Sequence, residues 1–119
     1  MVEIIKNENE TIFEVKGLHK ILAFKSELRI LNSHITRAYS DDNELAEWKG
    51  MRAFGTYIPS IIKAGTFFQD KDNATIFMDI SNPKNAIIIE LKDEYYKKLI
   101  IEVPNPQSAL ELLNKISTS

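Results

Sequence analysis

The sequence predicts an α+β domain of about seven short strands followed by one amphipathic helix. Two observations carry this expectation. From Thr11 to Val103 apolar residues mostly recur at every second position, the period of strands with one buried face. After Val103 the period lengthens to that of a helix. Strands that follow one another without crossover helices predict antiparallel pairing throughout. The 119 residues fit one domain spanning 1–119. A chain that is 44% hydrophobic and 27% charged can bury a core without staples.

In chain order, Thr11–Lys16 reads as a strand with Phe13 and Val15 on one side, and Gly17 ends it. Leu18–Phe24 reads as a helical turn. Glu27–Leu31 alternates again, with Leu28 and Ile30 on one face, and Asn32-Ser33-His34 reads as a turn, because Asn and Ser side chains support local bends. Ile35–Tyr39 follows as a strand. Ser40–Glu44 is a polar break whose Ser40 or Asp42 would cap a short helix toward Trp48. Lys49–Ile62 follows no period. Lys63–Gln69 and Ala74–Ile80 read as strands on either side of a polar turn at Asp70–Asn73.

Ala86–Lys92 and Lys98–Val103 form the clearest hairpin, both rich in β-branched residues. Asn105 is a good helix N-cap, and Pro106 stands at the first helical position, where its missing N–H is not needed. Ala109, Leu112, Leu113 and Ile116 then form an apolar stripe.

Several segments carry a resemblance. The most specific is Gly55-Thr56-Tyr57-Ile58-Pro59 followed by Ala64-Gly65-Thr66-Phe67, supported by Lys20–Lys25, Trp48-Lys49-Gly50, Ser81-Asn82-Pro83 and Val103–Pro106. Over nearly its whole length the chain resembles the bacterial pleckstrin-homology-like domain family. That resemblance implies a bent antiparallel β-barrel or sandwich of about seven strands, capped by a C-terminal helix. It carries over no catalytic residues. The chain departs from the family at Asn32, Ser60 and Met78, where proline, glycine and tryptophan are common.

Composition excludes several chemistries. Without cysteine there are no disulfides and no thiolate metal sites. A net charge of −2 gives no domain-wide basic bias, so nucleic acid is not expected as a partner. No basic leader with an apolar run opens the chain and no stretch is long enough to span a bilayer, so no transmembrane segment is expected and the cytoplasm is the expected location. His19 and His34 fall in no metal-ligand spacing, and no metal or cofactor is expected. No nucleophile elbow or phosphate loop is present, and the expectation is a protein that is not an enzyme. The acid-rich runs at Asp41 and Asp70 fail the calcium-loop template: Ala46 or Thr75 falls where glycine is needed, and Arg52 or Ser81 where the bidentate glutamate belongs.

One segment combines cations with aromatics and lacks acids. Between Trp48 and Lys63 lie Lys49, Arg52, Phe54 and Tyr57. Trp48, Lys49, Arg52, Tyr57 and Lys63 are therefore the candidate ligand-binding residues, for an anionic lipid head, a phosphorylated ligand or single-stranded nucleic acid. The plainer reading, and the preferred one, is that Trp48, Phe54 and Ile58 tuck beneath the loop as packing. A second basic run, Lys16, Lys20, Lys25, Arg29 and Arg37, reads as a solvated strand face. The leading function class is a binding or scaffold module with a protein partner or self-association through strand edges. An anionic-lipid binder comes second and a small enzyme last.

Overall fold

The computed structural model describes residues 2–15, 27–41, 54–58, 62–69, 74–80 and 83–118, with the backbone alone at 54–58, 62–69, 74 and 83. Strands β1 (Val2–Lys6), β2 (Glu10–Val15) and β3 (Glu27–Leu31) form a three-stranded antiparallel sheet in that order. A six-stranded sheet holds β4 (Ile35–Tyr39), β5 (Phe54–Ile58), β6 (Ile62–Gln69), β7 (Ala74–Ile80), β8 (Ala86–Leu91) and β9 (Lys98–Glu102). Its order is β4-β8-β9-β7-β6-β5. Helix α1 (Pro106–Thr118) follows.

All seven strands expected from the sequence are present, to within a residue or two, and two more accompany them. The first extra strand, β1, hides its period because Ile4 and Ile5 are adjacent. Its register places Ile4 opposite Phe13 and Ile5 opposite Ile12, so both faces carry an apolar residue. The second, β5, lies inside the run that follows no period, where Gly55 interrupts the pattern. The two sheets are open among the described residues, with β1, β3, β4 and β5 as terminal strands, so closure into a barrel is not seen there.

The wholly antiparallel expectation is corrected at one pair: β7 and β9 run parallel, with Phe77 opposite Leu99 and Met78 opposite Ile100. The cause is a skipped position. β8 lies two strand spacings from β7, about 10 Å, a distance within the reach of the five residues between them in sequence. The hairpin return then lays β9 antiparallel to β8 in the vacant slot, hence parallel to β7. Burial selects this strand for the middle of the sheet. Leu99, Ile100 and Ile101 are all 0% exposed, as are Ile87, Ile88 and Ile89. Strands buried on both faces read as continuous apolar runs rather than as alternation.

The main core lies on one face of the large sheet. Phe77, Ile87, Ile89, Leu99 and Ile101 meet Phe13, Val15, Leu28 and Ile30 of the small sheet, with Leu113 and Ile116 of α1. On the other face Ile76, Met78, Ile80, Ile88 and Ile100 form a second buried cluster against Tyr39. Met78 therefore fills a fully buried position.

Helix α1 begins as its residues dictate. The Ser108 N–H donates to Asn105 Oδ1 (3.1 Å) and the Ala109 N–H to the Asn105 carbonyl (3.1 Å). Leu113 and Ile116 are buried, and Ala109 and Leu112 pack half-buried against the core. Asn114, beside this stripe, treats β4 as a strand would. The Ala38 N–H donates to Asn114 Oδ1 and Asn114 Nδ2 donates to the Ala38 carbonyl, both at 3.0 Å. A terminal strand of the large sheet thus has part of its outer edge closed by a side chain.

Two outcomes test this packing. Leu113→Ala should lower stability by about 2–5 kcal/mol, as buried leucine truncations do, and a urea melt superimposable on the parent protein would contradict the placement of the stripe. Asn114→Ala leaves two backbone groups of Ala38 without their partner and should cost about 1–3 kcal/mol. The same variant should associate more than the parent in light scattering at high concentration, because the β4 edge is opened.

Candidate functional site

Three of the five candidate residues, Trp48, Lys49 and Arg52, lie outside the described residues. Tyr57 and Lys63 stand directly opposite one another in the β5–β6 register. Gly55–Ile58 and Ala64–Phe67 lie on this antiparallel pair. Gly55 faces Gly65, Thr56 faces Ala64 and Phe54 faces Thr66. Two glycines in direct register remove the side chains that would otherwise separate whatever approaches the strands there. The aperiodic run at 49–62 is thus partly strand, and the candidate pair Tyr57 and Lys63 sits on the terminal hairpin of the large sheet.

The second basic run is neutralised wherever it is described. Arg29 Nε lies 2.7 Å from Glu27 Oε2 and its Nη1 2.8 Å from Glu10 Oε1. The hydrogen bonds to Glu27 and Glu10 hold the Arg29 guanidinium above its ordinary pKa. Arg37 Nε lies 2.6 Å from Glu90 Oε1 and its guanidinium stacks 4.3 Å from the centre of the Tyr39 ring. Glu90 raises Arg37 in the same way. Glu90 also stands opposite Lys98, whose Nζ is 3.9 Å from its carboxylate and donates to the Tyr39 hydroxyl at 3.3 Å. The group laces β4, β8 and β9 laterally, as direct cross-strand pairs of opposite charge do. Each exposed pair contributes little.

His34 is a turn histidine with a specific partner. It closes a 3-10 turn at Asn32–His34, through which the chain passes from β3 in the small sheet to β4 in the large one. Its Nδ1 lies 2.6 Å from Glu94 Oε2, and the Lys92 N–H donates to its carbonyl at 2.9 Å. The 92–97 loop is held down further by Tyr96, buried edge-on against Phe77 with ring centres 5.6 Å apart. Asp93 takes the left-handed conformation (φ 56°) that a tight connection needs and that Asp tolerates. Among the described residues no three acidic or histidine side chains are placed to hold a metal ion. His19 and the acid-rich turns at 42–44 and 70–73 lie outside the described residues.

A concavity opens at the same passage between the sheets. It is a cleft of about 920 Å³. Lys6, Glu8 and Asn9 line it from the end of β1 and the β1–β2 turn, Leu31 to Ser33 and Ile35 from the β3–β4 passage. Lys92 contributes from the end of β8, and Ile116 and Ser117 from the last turn of α1. Asn32 fastens one wall. Its Nδ2 donates to the carbonyls of Asn7 and Glu8 (both 3.2 Å), its Oδ1 accepts from Thr11 Oγ1 (2.7 Å), and its N–H donates to the Asn9 carbonyl (2.9 Å). Ile35 and Ile116 are buried beneath the cleft, whereas Leu31 is 48% exposed.

The lysines distinguish this cleft from the neutralised strand faces. Neither the Lys6 nor the Lys92 side chain makes a hydrogen bond or ion pair with any described residue, and Glu8 is the carboxylate in the described lining. None of these residues stood out in the sequence, where each belongs to an ordinary turn or strand end. Among the described residues no helix is long and apolar enough to cross a membrane.

Asn32→Ala should remove the rivet and cost about 1–3 kcal/mol through the carbonyls it leaves without a donor, measured by urea unfolding. No family model, curated protein or solved structure matches the chain.

Proposed function

We propose that this chain is a non-catalytic binding module of the pleckstrin-homology-like class, and that the cleft between its two sheets is the ligand site. The observation that carries the reading is the cleft itself. It has the volume of a small-molecule site, a fastened wall, an exposed leucine and two lysines without partners among the described residues. The order of strands followed by a C-terminal helix supports the class, together with the glycine-paired hairpin of β5 and β6. The parallel β7–β9 pair departs from the antiparallel barrel that the resemblance implies, so the class rests on the motif and the element order. The Asn114 side chain on Ala38 argues against self-association through that part of the β4 edge.

The test is a fragment screen read by amide chemical shifts on the whole chain. Hits should gather on Ser33, Lys92 and Ser117. Hits that gather away from these amides, or a chain that takes up no fragment, would overturn the assignment of the cleft.

A further inference from the structure

We infer that the cleft takes an amphiphilic monocarboxylate, with its carboxylate held by Lys6 and Lys92 and its apolar chain laid along Leu31. The inference rests on reading the cleft as the ligand site. It is carried by the charges and the apolar surface that line it.

Charge comes first. The described lining holds two ammonium groups and one carboxylate, Glu8, so it carries one net positive charge. Lysines beside a helix C-terminus often serve its exposed carbonyls. Here the helix serves them itself: Ser117 Oγ and Thr118 Oγ1 donate to the Asn114 carbonyl (2.9 and 3.1 Å), and Thr118 Oγ1 reaches the Lys115 carbonyl (3.2 Å). The two ammonium groups are left for a ligand. A cation is repelled by both. A dianion meets Glu8 and the negative end of α1 with its second charge, whereas a monoanion balances the lining.

The remainder of the ligand follows from the other side chains. Leu31 is one of two large apolar side chains exposed among the described residues, and it lines this cleft rather than open surface. Covering it requires an apolar body attached to the anion. The described lining contains no aromatic residue, which argues against a ligand that binds by stacking a base. A carboxylate fits better than a phosphate monoester, which carries about −1.5 to −2 charges at neutral pH.

Octanoate is the probe. It is titrated into the full chain and followed by amide shifts beside acetate, 1-octanol and octyl phosphate, the last at a pH where it is doubly charged. Octanoate should saturate at Ser33, Lys92 and Ser117 and bind more tightly than the other three. Lys6→Gln and Lys92→Gln should each weaken it roughly fivefold, the effect of one charge about 4 Å away in a water-like medium, with melting temperatures unchanged. Added salt should weaken octanoate but not octanol. Equal binding of octanol, tighter binding of octyl phosphate, or lysine variants that bind as the parent does would each overturn the inference. If fragments gather in the cleft while octanoate does not bind, the ligand class falls and the site stands. If neither enters, both fall.

Discussion

Six aliphatic side chains, Ile87 to Ile89 and Leu99 to Ile101, are wholly removed from water on both faces of two adjacent strands. Strands of that kind cannot carry one wet face, because every second side chain would then be exposed. They require a layer on each side. One face is supplied by the small sheet and α1 in the main core, and the other carries the second cluster around Met78 and Ile100. With β8 and β9 both in the interior, β4 flanks β8 and β7 flanks β9, and the parallel pairing follows from the position skipped between β7 and β8.

The same strands show where sequence reasoning ran out. Their existence was legible, and so was their hairpin. Alternation was nonetheless the wrong period to read into Ala86–Lys92, because Ile88 and Ile100 are as buried as their neighbours. A one-faced reading leads to an antiparallel meander, whereas a two-faced one leads to a central pair. The helix was legible in full: Asn105 caps it and Leu113 and Ile116 are its buried stripe, since both signals are local. Strand β1 was missed because Ile4 and Ile5 face opposite sides, and β5 because Gly55 interrupts its run.

The cleft was not legible, for a different physical reason. Its described lining comes from residues 6, 8–9, 31–33, 35, 92 and 116–117, stretches far apart in sequence that the fold brings together. A basic residue stands out in sequence when it has basic neighbours, as in the run from Lys16 to Arg37. In the folded chain Arg29 and Arg37 have carboxylates within 3 Å, whereas Lys6 and Lys92, each without a basic neighbour in the sequence, have no partner among the described residues. Local charge density therefore pointed to residues that lace strands together.

Helix α1 links edge protection to the cleft. Within four consecutive residues, Leu113 is buried in the core, Asn114 closes the edge of β4, and Ile116 is buried beneath the cleft. These positions are fixed relative to one another by helical geometry, since residues three and four apart share a face. The depth to which Leu113 seats therefore sets both how well Asn114 meets Ala38 and where Ile116 and Ser117 stand in the cleft wall. A change in the core under α1 should be felt at both places together, while a change at Lys6 or Lys92 touches neither. Evolution can retune the charge of the cleft through its lysines without loosening the fold, because those side chains hold no part of it together among the described residues.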